Sequence, residues 1–384
     1  MTHPLAMTPP MGWNSWNTFG EKINEQVVLE TADLFVKLGL KDAGYEYIVI
    51  DDCWSLRERD PKTNEIVPDP VKFPRGMKFV SDYIHKKGLK FGMYSCAGTR
   101  TCANYPSSFG HEFLDARTFA KWGVDFLKYD YCNMPFGGQA PLFYRRMGQA
   151  LRNSGREILF SACEWGAEDV WSWIRSTGAS MYRSTGDIFD NFESMKKIAQ
   201  SQLPKLASSA PGCWNDMDML TVGMFGRGNV GNAESVQTID QYKLQFAVWC
   251  VWGSPLMLGC DIRKLADMPD VLALVTNKDL LRINQDPLGR QAYAADTCWG
   301  NQDVGTVARL LDNNETAVLC HNFTDADRTF HSLLEKLGIS YESGLKLRMK
   351  DCFTGKTVFS GRDEFSVSVP AKSCRVFLCK PVKA

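Results

Sequence analysis

The stretch VDFLKYDYCN, residues 124–133, closes an apolar run with a lysine and an aspartate two positions apart. Alternate residues of a strand share a face, so Lys128 and Asp130 are expected to point the same way. An ammonium beside a carboxylate can hold a polar ligand while the acid does chemistry on it. Further acids follow other apolar runs: Asp51 and Asp52 after YIVI, Glu164 after LFSAC, Asp187 after SMYRSTG, and Asp216 and Asp218 within GCWNDMD. Two carboxylates on either side of a glycosidic bond are enough to cleave it. One attacks the anomeric carbon or activates water, and the other protonates the leaving oxygen. Residue types alone do not say which two. Taken singly, such acids solvate loops or cap helices. Gathered on one rim they need counter-charge, which Lys128, Arg183 and the hydroxyls of a ligand can supply. A hard, oxygen-liganded cation is the competing arrangement. Zinc is not expected, because the five histidines (His3, His85, His111, His321, His331) lack ligand spacing and the cysteines form no CxxC pair.

The elements that must position these groups follow from periodicity. Short runs rich in β-branched and aromatic residues, such as YEYIVI, LKFGMYSC, VDFLKYD, EILFSAC and GSPLMLG, read as buried strands. Amphipathic stretches such as NEQVVLETADLFVKLG, GMKFVSDYIHKKG, DARTFAKWG and QAPLFYRRMGQALRNSG lie between them and read as helices. Strand-then-helix alternation predicts a parallel sheet, and seven such runs plus an eighth at TPPMGWNSW predict a (β/α)8 barrel over residues 1–290. In such a barrel every strand ends on one face, where functional groups gather. From VGTVARLLDNNETAVLCHNF onward, polar and β-branched residues alternate around turn-like DNN and SGRD, which predicts an antiparallel β-sandwich over residues 291–384.

Basic and acidic residues both number 44, a balance that gives no reason to expect nucleic acid or an anionic membrane as partner. No run is long and apolar enough to span a bilayer. The N-terminus as written has no leader pattern, which reads as intracellular unless a leader has been removed. The sequons at Asn314 and Asn322 read as chance matches. Eleven tryptophans and twelve tyrosines would suit sugar rings as well as a core.

The chain resembles glycoside hydrolase family 27, the α-galactosidase and α-N-acetylgalactosaminidase family, along nearly its whole length. The resemblance rests on PPMGWNSW, YIVIDDCW, FGMYSCAGTRTCANYPSSFGHE, WGVDFLKYDYCN, GCWNDMDML, GSPLMLGCD and INQDPLG. It implies the barrel-plus-sandwich fold and a retaining hydrolase of terminal α-linked galactose, without cofactor or metal. Its substrate would be an α-galactoside oligosaccharide or glycoconjugate, and self-association as a homo-oligomer stays open. Asp130 in KYD is then the implied nucleophile and Asp187 in RSTGD the implied acid/base. Retention implies carboxyl groups about 5–5.5 Å apart. Asp51 and Asp52 are the implied acceptors for the 6- and 4-hydroxyls. Trp16 and Tyr94 are implied pocket walls, and Lys128 and Arg183 donors around the 2- to 4-hydroxyls. Cys163, Glu164, Trp165 and Asp218 complete the implied binding set, with Glu164 filling the space of a 2-acetamido group and so favouring galactose. The resemblance also implies a Cys102–Cys132 disulfide. A reducing compartment would leave that pair as thiols. Two departures stand out: Cys53 lacks the cysteine partner that relatives carry near position 21, and the loop TVGMFGRGNVGNAESVQT is long.

Two other readings fit parts of the sequence less well. Gly226–Gly231 spells GxGxxG, but a dinucleotide fingerprint belongs directly after a first strand with an acid about 20 residues on, and this one is not so placed. A catalytically silent sugar-binding barrel would not need both Asp130 and Asp187.

Overall fold

The computed structural model describes residues 5–297, 302–362 and 364–383. Eight parallel strands form one curled sheet: β1 Met11–Asn14, β2 Tyr47–Val49, β3 Lys90–Cys96, β4 Phe126–Asp130, β5 Leu159–Cys163, β6 Met181–Arg183, β7 Trp214–Asp216 and β8 Leu256–Leu258. Their spatial order is β7-β6-β5-β4-β3-β2-β1-β8. The segment just after β7 closes the ring against β8. There Leu220 donates to the Met257 carbonyl at 2.8 Å, and Gly259 donates to the Leu220 carbonyl at 2.9 Å. The fold is a (β/α)8 barrel.

Helices α1 Glu25–Lys37, α2 Gly76–Lys86, α3 Glu112–Trp122, α4 Ala140–Arg152, α5 Phe192–Gln202, α6 Ile239–Trp252, α7 Pro269–Val275 and α8 Lys278–Asn284 surround it. Most are amphipathic, with an apolar stripe on the sheet and a polar face outward. Between β5 and β6 the described chain has only two 3-10 segments, Ala167–Ser172 and Ile174–Thr177, so the alternation is incomplete there.

On their inner faces β2, β4, β5, β6 and β7 start apolar and lead into polar residues. Tyr47, Val49, Phe126, Leu159, Met181, Trp214 and Met257 pack together as the floor. Two residues further along the same faces stand Asp51, Lys128, Ser161, Arg183 and Asp216. The strand register then sets Cys96, Asp130, Cys163, Arg183 and Asp216 side by side across five neighbouring strands. A dry floor under a charged mouth therefore follows from the period of two.

Antiparallel strands follow: β9 Ala292–Thr297, β10 Val304–Leu311, β11 Glu315–Asn322, β12 Arg328–Leu333, β13 Leu345–Asp351, β14 Thr357–Gly361, β15 Glu364–Val369 and β16 Ser373–Lys383. Six form one sheet in the order β14-β13-β16-β11-β10-β9, and β12 pairs with β15 in a second layer. Phe365 and Val369 of the small layer pack on Val318, Cys320, Leu347 and Phe377 of the large one, which makes a sandwich. The other face of the large sheet shares a core with the barrel through α6. A helix apolar all round must be covered all round, and α6 is: Phe246, Val248, Trp249, Val251 and Trp252 are all buried. Arg309 on β10 is wholly buried at this seam, and donates to the carbonyls of Arg290 at 2.8 Å and Cys250 at 3.3 Å. Asn322 is also fully buried, with its amide nitrogen bound to three carbonyls, so its sequon is closed to modification in the folded chain, whereas Asn314 is exposed. No helix among the described residues is long and apolar enough to cross a membrane.

Candidate active site

A pocket of about 450 Å³, solvent mouth included, opens at the C-terminal ends of the barrel strands. Trp16, Asp51, Asp52, Tyr94, Lys128, Asp130, Arg183, Asp187 and Asp218 of the expected set all line it, with Cys102. Cys163 and Asp216 line a neighbouring small cavity that shares Lys128, Arg183 and Asp218 with this one.

Asp51 anchors one side. Its Oδ2 accepts from Lys128 Nζ at 2.8 Å and from Asn14 Nδ2 at 2.6 Å. Asp52 is held by backbone, its Oδ1 accepting from Cys53 N at 2.7 Å and its Oδ2 from Ala103 N at 3.0 Å. Burial nevertheless raises the Asp52 carboxyl above the ordinary aspartate value.

Asp130 ends β4 and is 5% exposed. Its Oδ2 accepts from the Tyr94 hydroxyl at 3.1 Å, and its Oδ1 from Tyr131 N at 3.0 Å. Tyr94 is thus a donor to the carboxylate as well as a wall. Burial, only partly offset by Lys128, pushes Asp130 up to about 6. Two hydrogen bonds leave free lone pairs on a desolvated carboxylate, a state suited to attack on carbon.

Arg183 organises a second group of acids. Its Nη1 pairs with Asp218 at 2.7 Å and its Nη2 with Asp187 at 3.0 Å. Asp218 sits at φ 78°, a conformation that costs a non-glycine residue energy and recurs at functional sites. It is held there by Ile188 N, 2.7 Å from its Oδ2, and by the Trp249 indole, 2.7 Å from its carbonyl. The seam helix α6 therefore reaches the site directly. Asp187 has a side chain 64% exposed, against 5% for Arg183. Burial alone would raise its pKa, but Arg183 and Lys128 outweigh that and hold it below the usual carboxylate range. Asp216 is pushed by burial to about 7.

Glu164 and Trp165 depart from the expectation, since neither lines the pocket. Cys163 takes the inward position, so the next residue turns to the other side. Glu164 is wholly buried there, and neither carboxylate oxygen has a hydrogen-bond partner among the described residues. Burial, with Glu168 nearby, pushes it to about 8. Trp165 packs edge-on against Tyr131, with ring centroids 6.2 Å apart. A raised acid holds its proton in the folded state, so its contribution to stability is complete below the ordinary glutamate value and declines as pH rises through about 8. Glu164→Gln should therefore raise the melting temperature at pH 8, with a gain of up to about 1.4 kcal/mol per pH unit above the ordinary value, and change it little at pH 4. Calorimetry at the two pH values checks this, and an unchanged melting temperature at pH 8 would contradict the buried placement.

Several contributors were not singled out from the sequence. Asn14 and Asn17 lay unremarked inside the GWNSWN motif, and Asp190 carried no local signal. Asp190 is fully buried and its carboxylate accepts from Gly226 N, Gln237 Nε2 and the Tyr242 hydroxyl. It thereby anchors the long loop after β7, whose Val230 lines the pocket. The GxGxxG glycines serve packing. A Cβ on Gly228 would stand 2.8 Å from Thr18 Cα, so the loop can lie on the Asn17–Thr18 turn only without one. The disulfide Cys102–Cys132 forms beside Asp130, and Cys53 has no disulfide partner among the described residues.

A (β/α)8 barrel whose mouth holds an accessible acid and a desolvated one on a single pocket, with Lys128 and Arg183 as fixed cations, has the layout of a glycoside hydrolase. The profile of the family described as alpha galactosidase A matches residues 8–286. The chain belongs to that family, glycoside hydrolase family 27. It is 41% identical to an α-galactosidase of Cyamopsis tetragonoloba over 98% of this chain and 87% of the relative. The crystal structure of α-galactosidase I from Mortierella vinacea superposes with a TM-score of 0.88 at 30% identity, covering both chains in full. An α-galactosidase from Saccharomyces cerevisiae with raffinose superposes with a TM-score of 0.84 at 28% identity over 98% of each chain.

Proposed function

We propose that this protein hydrolyses terminal, non-reducing α-D-galactosides with retention, Asp130 attacking the anomeric carbon and Asp187 serving as acid and then base. The observation that carries the reading is the placement of both carboxylates on one pocket with different surroundings, Asp130 dry and Asp187 open to solvent. The leaving group departs and water enters on the exposed side, where Asp187 can give a proton and later take one. Asp51, Asp52 and Lys128 form a charged rim for the hydroxyls at one end of the sugar, and Arg183 with Asp218 for those at the other. The choice of galactose over its 2-acetamido counterpart is supported by the relatives named α-galactosidase and not by the position of Glu164. The barrel unit of residues 1–290 would carry all of these groups. Raffinose-type and melibiose-type α-galactosides are the proposed natural class.

Hydrolysis of p-nitrophenyl α-D-galactopyranoside, followed by proton NMR, tests the reading. α-Galactose should form first and mutarotate later. First-formed β-galactose, or faster cleavage of the 2-acetamido analogue, would overturn it.

The protonation states give a further expectation. The competent free enzyme needs Asp130 ionised and Asp187 protonated, so the pair must hold one proton between them. Asp130 is raised to about 6 and Asp187 is lowered, so that proton leaves the pair as pH rises through about 6. Log kcat/KM should then fall with a slope near −1 above about pH 6. A flat profile from pH 6 to pH 8 would contradict the assignment.

A further inference from the structure

We infer that reducing the Cys102–Cys132 disulfide turns the wall of the pocket into a binding site for a soft divalent cation, with Asp130 as third ligand and loss of hydrolysis as the consequence. The site itself stands on geometry, and only its inhibitory effect rests on the proposed role of Asp130.

The two sulfurs and an Asp130 carboxylate oxygen lie within 4.8 Å of one another. The Tyr94 hydroxyl touches two of the three, at 3.3 Å from Cys102 Sγ and 3.1 Å from Asp130 Oδ2. Two thiolates, one carboxylate and a water make a tetrahedral set that zinc and cadmium favour. The loops that carry the sulfurs are tied together independently of the disulfide. Ala97 N donates to the Asp130 carbonyl at 2.8 Å, Thr99 N to the Asn133 carbonyl at 3.0 Å, and Asn133 Nδ2 to the Thr101 carbonyl at 2.8 Å. Gly98 lies so close to the Cys132 carbonyl that no Cβ fits between them. These contacts keep the sulfurs facing each other once the bond between them is broken. Access is also selective. Cys102 is exposed and lines the pocket, whereas every free cysteine among the described residues is buried.

The chemistry balances with a phosphine as reductant. The S–S bond breaks, phosphorus is oxidised to the phosphine oxide with oxygen from water, and the water protons end on the two sulfurs. A divalent cation then displaces both thiol protons to solvent and accepts a lone pair from Asp130. A carboxylate that shares its charge with a cation is a poor nucleophile, and the cation sits on the wall of the same pocket, so bound cation and hydrolysis oppose each other.

The test uses the full chain with Cys298, which lies outside the described residues, replaced by serine. The protein is reduced with a trialkylphosphine, desalted without air and titrated with cadmium chloride. Ultraviolet thiolate-to-cadmium absorbance and hydrolysis of an aryl α-galactoside are followed together. The reduced protein should take up one cation with matching loss of activity, and the oxidised protein should bind at least roughly tenfold more weakly. Free galactose should compete with the cation. Asp130→Asn should keep the absorbance while binding roughly tenfold or more weakly, as loss of a ligand-shell group does. Uptake of several cations, as from an opened chain, or equal uptake by a Cys102→Ser/Cys132→Ser variant, would overturn the site. Binding with the expected absorbance but undiminished hydrolysis would overturn the inhibition and, separately, the nucleophile reading.

Discussion

Asp130→Asn should lower turnover of an aryl α-galactoside by several orders of magnitude while leaving a protein that is more stable than the parent at pH 7. The loss follows because the amide is no nucleophile, and the Tyr94 and Tyr131 donors that orient the group cannot make it one. The gain follows from burial. A carboxyl raised to about 6 in the folded state favours folding fully below its ordinary aspartate value and loses that advantage as pH rises through about 6. At neutral pH the ionised form is held in place at a cost of about 3 kcal/mol, from roughly two pH units at 1.36 kcal/mol each. Asparagine removes that cost at nearly the same shape. Calorimetry across pH checks the sign: the stabilisation should fade toward pH 4. A variant that is inactive and also less stable at pH 7 would mean that Asp130 holds the barrel mouth together rather than straining it. A variant of near-parent activity would move the nucleophile elsewhere. Azide should restore some turnover of the aryl substrate and give the inverted β-galactosyl azide, because the small anion enters the space the carboxylate used.

Asp187→Ala should separate substrates by their leaving groups. A sugar alcohol leaves only when protonated, so kcat/KM on an α-galactosyl oligosaccharide should drop by about 10²–10⁴, the range for general acid catalysis. A nitrophenolate needs little protonation, so its first step should suffer less. Without a base for water, the second step becomes limiting, and a burst of nitrophenol should precede a slow steady rate. Azide should restore that rate with α-galactosyl azide as product, the opposite anomer from the Asp130→Asn reaction. Equal losses on both substrates, with no burst, would remove Asp187 from the acid/base role. The exposure of its side chain, 64%, is what lets an outside anion take its place. The pairing with Arg183 at 3.0 Å means that alanine also frees a cation, so Asp187→Asn serves as the control that keeps a partner for the guanidinium.

Much of this site was legible in the sequence because strand geometry is simple. A period of two fixed which way Lys128 and Asp130 would point once the strands were recognised, and parallel strands put all their ends on one face. The same rule, applied one residue further, would have turned Glu164 away from the pocket. The resemblance to relatives placed it inside, and in this structure Cys163 holds the inward position. Asp190 could not be read in advance, since its partners Gly226, Gln237 and Tyr242 lie 36 to 52 residues away along the chain. The long loop after β7 showed its glycines but not their use, because the surface they pack against, Asn17 and Thr18, comes from the opposite end of the barrel sequence. The second face of α6 was hidden for a related reason. A helix buried on all sides shows no stripe, and what covers it is a sheet whose contacting strands begin at Val304, Glu315 and Ser373, well beyond the helix end at Trp252.

The central claim is that one carboxylate, Asp130, becomes covalently joined to the sugar. It is tested most directly by trapping the glycosyl-enzyme with an activated 2,2-difluoro-α-galactoside, whose fluorines destabilise the positive charge of the second step and let the intermediate accumulate. Peptide mass spectrometry then locates the added glycosyl group. Label confined to the peptide that contains Asp130, and to that side chain on fragmentation, is the predicted result. Label on Asp187, Asp51 or Asp216, or turnover with inversion and no label at all, would contradict it.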